Sequence, residues 1–316
     1  MNKIKLNYQF FLVKFPIIFP LIYGIILFQF PSFETILIIT TIFLLAETHF
    51  AATWPFFLDK INYPFIIQNR IALIVSPILI IILSLIGFFF FNKLFLLIFF
   101  AINMYHVTRQ SFGVCKLYCK NLDENRFQEK SVYLLAFIFF LIGFFRFFLP
   151  IINEENILFL NVSVGIFFIS MCFFYLVKYG YSENFLVFLT GCLIFYPMCF
   201  VSNPVHAIIM GVTMHYTQYL YLTFNIYKLR KNDQVENVNK TFSDRFYNYF
   251  VIIFLYTIVM AGLSIFGKAD SVYLKQLIII PIIGQMLHFY LDSQLWKFSE
   301  KNNRDNTLLY INKFIR

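Results

Sequence analysis

The sequence predicts an all-α fold: a polytopic integral membrane bundle of about ten transmembrane helices, with both termini cytoplasmic. Three observations carry that expectation. Of the 316 residues, 60% are hydrophobic and only 13% charged, with a mean hydropathy of +0.75, whereas soluble domains carry about 25% charged residues. Apolar runs of roughly 20 residues, the length that crosses a bilayer as a helix, recur along the whole chain. Lys and Arg collect in alternate connections, the pattern of the positive-inside rule.

Taken in order, the spans are expected at 10–30, 33–58, 71–91, 94–118, 131–150, 157–178, 184–201, 203–228, 247–267 and 272–297. The connections at 30–33, 91–93 and 201–204 are so short that their flanking helices read as hairpins. Those at 59–70, 119–130 and 229–246 are longer and polar. One side receives Lys3, Lys5, Lys60, Arg70, Lys116, Lys120, Arg126, Lys130, Lys178, the cluster Lys228, Arg230, Lys231, Lys240 and Arg245, and the tail with Lys297, Lys301, Arg304, Lys313 and Arg316. The other side holds only Lys93, Lys268 and Lys275, with an acidic turn at Glu154 and Glu155. An even number of spans follows. No polar linker divides the chain, so residues 1–316 read as a single transmembrane domain, placed in a bacterial inner or cell membrane.

Composition also sets aside several functions. The net charge of +9 follows from the basic connections, so no nucleic-acid partner is expected. The five cysteines (Cys115, Cys119, Cys172, Cys192, Cys199) form no CxxC pair of the kind that binds metal. Cys115 and Cys119 lie one turn apart at a basic end, where thiols stay reduced. The first apolar run leads directly into further spans, so no cleavable signal peptide is expected. The 46 Phe residues fill the runs and indicate no particular chemistry.

The histidines do indicate one. All five, His49, His106, His206, His215 and His288, fall inside hydrophobic segments, where an ionisable group marks a functional site by default. His49, His106, His215 and His288 occupy spans two, four, eight and ten, all running from outside to inside. Each lies roughly 13–20 Å from the cytoplasmic end at 1.5 Å per residue, so the four share one layer. His206 follows Pro204 at the outer start of span eight. Nine residues before His215, it projects from the opposite face and reads as a cap or interfacial residue. Gly211 between them is a candidate kink.

Each histidine has polar company. Thr53 shares the face of His49, while Glu47 points elsewhere. Asn103, Arg109, Gln110 and Gly113 share the face of His106, and Gly113 has space for a substrate or a neighbouring helix. Gln218 and Tyr219 share that of His215, and Gln285 and Asp292 flank His288 at i−3 and i+4. Arg109, inside a span, needs an anion, for which Glu47 or Asp292 is the natural choice. The expected site therefore comprises His49, His106, His215 and His288 as metal ligands, with Asp292, Glu47 and Arg109 as catalytic groups. Asp292 or Glu47 would orient a ligand ring or complete a histidine–carboxylate shell. Plain interhelical hydrogen bonding is the competing account of these histidines.

Nitrogen and carboxylate ligands within lipid suit oxygen chemistry: iron as cofactor, in preference to zinc, with dioxygen and an apolar lipid-like substrate as partners besides the membrane lipids. Zinc hydrolysis is the neighbouring possibility. One histidine per helix, with an acid a turn later as in His288-Phe289-Tyr290-Leu291-Asp292, resembles the Brp/Blh family of membrane carotene-cleaving oxygenases. That resemblance implies a fully helical iron enzyme acting on a carotenoid-like substrate, and it carries over His288 with Asp292. The chain departs from the family in lacking an opening Pro-His-Gly segment, an Asp after His49 and His106, and a close histidine pair. Membrane desaturases and hydroxylases fit less well, because five histidines with no HxxxH or HxxHH box cannot build their iron sites. A membrane haem protein with axial histidines and a transporter with a His/Arg/Asp path are the alternatives.

Overall fold

A backbone amide in lipid has no water to bond, so a long apolar segment satisfies itself only as a helix or a closed barrel. The described residues are helical, with no strand among them. The computed structural model describes residues 9–59, 62–233, 247–267 and 275–315. Of the charges used for orientation, Lys3, Lys5, Lys60, Lys240, Arg245, Lys268 and Arg316 lie outside these residues.

The helices are α1 (Phe10–Gln29), α2 (Pro31–Phe57), the short α3 (Tyr63–Gln68), α4 (Ile71–Phe90) and α5 (Asn92–Tyr118). Then follow α6 (Leu122–Phe148), α7 (Glu155–Tyr179), α8 (Glu183–Leu193) and α9 (Pro204–Asp233). The last are α10 (Tyr247–Phe266), α11 (Ile279–Leu295) and the C-terminal segment α12 over 301–315. Six of them, α1, α2, α4, α6, α7 and α10, are long and apolar enough to cross a membrane. α5 and α9 have the length, but polar side chains such as Arg109 and His215 dilute their apolar runs; α11 has 17 residues.

Two boundaries differ from expectation for local reasons. The segment 119–130, expected as a connection, is mostly helix, because Asn121 caps α6. Its side chain accepts from the amides of Asp123 at 2.9 Å and Glu124 at 3.3 Å, which satisfies donors that a helix start leaves open. The segment 184–201 is not one continuous helix. α8 stops after 11 residues, and a single 3-10 turn over Tyr196–Cys199 follows, with Pro197 near its start. Proline has no amide to continue an α-helical ladder.

The chain divides into two units, one of residues up to Ile38 with Leu97–Gln218, the other of Ile39–Leu96 with Tyr219–Arg316. In the first, α8 packs on α6 and on the start of α1. Leu12, Tyr23, Leu135, Phe139, Phe188 and Phe195 are fully buried. The Glu124 carboxylate accepts from the Tyr175 hydroxyl and from Asn184 Nδ2 at 3.0 Å, and Gln128 donates to Tyr175 at 3.2 Å. α9 runs through Gly211 without a break. The glycine serves close approach instead, since a Cβ there would stand 1.8 Å from the Ile194 carbonyl oxygen. Gly113 of α5 has no neighbour within 4 Å of its Cβ position.

In the second unit, α10 packs on the 47–57 stretch of α2, and α11 on α4 and α10. The Lys231 ammonium lies 3.1 Å and the Arg230 guanidinium 3.3 Å from the Asp59 carboxylate, all three buried. Arg230 also lies over the Phe56 ring at 5.4 Å. Asp59→Asn keeps the shape and leaves two buried cations without their anion. Thermal unfolding in detergent is expected to show a loss of about 3–5 kcal/mol; an unchanged melting temperature contradicts the pairing.

Candidate functional site

Three segments of the second unit meet at one cluster. α2 supplies Glu47, His49, Phe50 and Thr53, α11 supplies Gln285, His288 and Asp292 with Trp296 just beyond, and α9 supplies Tyr219. His49, Thr53, Tyr219, His288 and Asp292 are all buried. On α2, His49 and Thr53 are separated by four residues, and so are His288 and Asp292 on α11. Four residues bring side chains onto the same helix face, so each helix presents one histidine and one hydrogen-bonding group.

Thr53 is the hub. Its hydroxyl donates to Asp292 Oδ1 at 2.8 Å. It also lies 2.8 Å from Nδ1 of His288 and 2.8 Å from the Tyr219 hydroxyl. Tyr219 donates to the same Asp292 oxygen, and Trp296 Nε1 donates to Asp292 Oδ2 at 3.2 Å. Three donors thus converge on one carboxylate, which can only accept. A threonine hydroxyl carries one proton. With that proton on Asp292, the Thr53 oxygen accepts from His288, which assigns the proton of His288 to Nδ1 and a lone pair to Nε2.

His49 packs edge-on against His288, with ring centroids 4.6 Å apart and an interplanar angle of 66°. It meets Tyr219 at 4.4 Å. A ring nitrogen of His49 lies within 4.8 Å of one of His288. Phe50 closes the other side of His288 at 5.2 Å. Glu47 is buried, and its side chain bonds Gln285.

The remaining expected residues lie in the first unit. His106 on α5 and His215 on the first half of α9 are buried there. Arg109 is exposed and forms no ion pair among the described residues. His206 is bound on both ring nitrogens, with Tyr23 OH 2.7 Å from Nδ1 and the Glu34 carboxylate 2.9 Å from Nε2. It ties the start of α9 to α1 and to the start of α2.

Asp292 is tied to His288 through Thr53. Its oxygens are engaged by hydrogen bonds. Three members of the network escaped the sequence reading: Thr53 as its centre, Tyr219 as donor and Trp296 as donor. Each was marked by i+4 spacing, from His49, His215 and Asp292 respectively.

No protein-family model, curated protein or solved structure matches the chain.

Thr53→Val preserves volume and removes the hub hydroxyl, leaving His288 Nδ1 without its acceptor and Asp292 with one donor fewer. A loss of about 1–3 kcal/mol in unfolding stability is expected, with Thr53→Ser close to wild type. Equal melting of the valine and serine variants would show that the hydroxyl is not the hub.

Proposed function

We propose that the chain is an integral membrane, metal-dependent oxidoreductase, a non-haem iron oxygenase acting on an apolar lipid or carotenoid-like substrate. The observation that carries this reading is the buried His49–His288 pair with its Thr53–Asp292 support. Metal-bound imidazoles are commonly oriented through the ring nitrogen that does not bind, and such support is worth about 10–100-fold in metal affinity. Thr53 takes that position on His288, so that Nε2 would be the nitrogen to hold a metal. His49 supplies the second nitrogen. The common depth of His106 and His215 in the sequence makes them candidates for the remaining ligands.

The metal, when bound, supplies dioxygen activation. The protein residues hold and exclude. Asp292, fixed by three donors, keeps the Thr53 hydroxyl aligned on His288, while Phe50 and the Tyr219 ring keep water from the histidine pair. Imidazole donors suit iron and zinc alike; the apolar surroundings favour oxidation of a lipid-soluble substrate over hydrolysis. The spacing of His288 and Asp292, which resembles the Brp/Blh pattern, supports the same reading.

Two alternatives fare less well. A haem between His49 and His288 requires a porphyrin plane where the two rings now pack edge to face. A transport path through Arg109 requires that side chain to be buried, and it is exposed. The chain is further proposed to cross a bacterial cell membrane ten times with both termini cytoplasmic, on the strength of its basic connections.

The protein purified in detergent is expected to hold non-haem iron and to show no Soret band. His49→Ala and His288→Ala lose the metal, Thr53→Val binds it about 10–100-fold more weakly, and His206→Ala keeps it. Metal analysis of His106→Ala and His215→Ala reads the further ligands in the same way. Full metal content in both His49→Ala and His288→Ala would overturn the site, and a Soret band would overturn the non-haem assignment.

A further inference from the structure

Of the three charges expected at the site, Arg109 is the exposed one. It stands nine residues before the end of α5, about 13 Å from that end at the rise of an α-helix. An arginine set among the apolar residues of a long helix requires an anion or a route to polar surroundings. Its side chain is exposed and forms no ion pair among the described residues.

Its surroundings supply the route. Asn121 turns the chain from α5 into α6, and the two helices meet through their rings. Tyr133 of α6 lies 6.4 Å from Tyr105 and 6.2 Å from Phe112, which bracket Arg109 by four and three residues. Tyr133 therefore stands level with Arg109, and its hydroxyl is within electrostatic reach of the guanidinium. Below Tyr133, toward the start of α6, an open groove of about 340 Å³ is lined by Arg126, Glu129, Lys130 and Tyr133.

Those four residues follow i, i+3, i+4, i+7 spacing and form one stripe along α6. Arg126, Glu129 and Lys130 are exposed, and none of them forms an ion pair among the described residues. Two cations of the groove, with Arg109 of α5 near Tyr133, thus outnumber one carboxylate by two positive units. The groove opens at the basic end of the bundle, beside lipid-facing apolar side chains such as Leu134 and Phe137.

We propose that this groove binds the phosphate group of an anionic membrane lipid. Lys130 and Arg126 receive the phosphate near the surface, Arg109 reaches down the groove to it from above, and the Tyr133 hydroxyl donates to one of its oxygens. The acyl chains lie along the exposed apolar surface of α6. A lipid is favoured over free phosphate because the groove lies beside exposed apolar side chains of α6, Leu134 and Phe137, along which acyl chains can lie.

The test uses the full chain in detergent, titrated with fluorescent phosphatidylglycerol and, separately, phosphatidylcholine. Preference for the anionic lipid is expected to fall about fivefold for each cation removed in Arg109→Gln, Arg126→Gln and Lys130→Gln. It should rise in Glu129→Gln, survive in Arg109→Lys and remain unchanged in Lys178→Gln on α7. Equal binding of the two lipids, or an unaltered preference in the triple glutamine variant, overturns the site. Displacement of the lipid by millimolar inorganic phosphate overturns its assignment to a lipid. The readout needs no metal, so it stands apart from the His49–His288 reading.

Discussion

A buried carboxylate in a chain that is 60% hydrophobic must be met by donors, and most of those donors come from other segments. Asp292, Asp59 and Glu124 are the three clearest cases. Asp292 draws on Thr53, Tyr219 and Trp296, Asp59 on Arg230 and Lys231, and Glu124 on Tyr175 and Asn184. Lipid and aliphatic side chains are equally apolar, so they do little to fix which helices pair. The polar groups do that, because leaving one unmet costs several kcal/mol in an apolar surrounding. The first two carboxylates secure the second unit and the third secures the first.

The candidate centre is an extension of the same rule. The donors that neutralise Asp292 also fix the orientation of His288, through the single proton of Thr53. A stability requirement and a ligand-orienting requirement thus fall on the same hydroxyl. His206, bound at both nitrogens by Tyr23 and Glu34, shows the other use of a buried imidazole, a bridge between helices. The two differ in what engages the ring: hydroxyl and carboxylate for His206, against a hydroxyl and a second imidazole for His288.

Arg109 illustrates how a residue changes meaning with its surroundings. By spacing it shares a face with His106. The side chain lies exposed, within electrostatic reach of Tyr133 and near a basic stripe on α6. A long, flexible cation in an apolar span moves toward polar surroundings, and helix position by itself does not say in which direction it turns.

By itself, the sequence determined that the chain is helical and rich in segments able to cross a membrane, because length and hydropathy are local properties that lipid enforces directly. It also marked the buried histidines and the i+4 companions of His49 and His288, since those follow from helical periodicity. The tertiary structure decided the rest. It set the capped start of α6 at Leu122 and the break after α8, which turn on an Asn side chain and a proline. It showed that Asp292 reaches His288 through Thr53, and that Tyr219 and Trp296 complete the carboxylate. It assigned His206 to Tyr23 and Glu34. These outcomes depend on which helices lie side by side, and that arrangement is set by pairings between residues far apart in the chain.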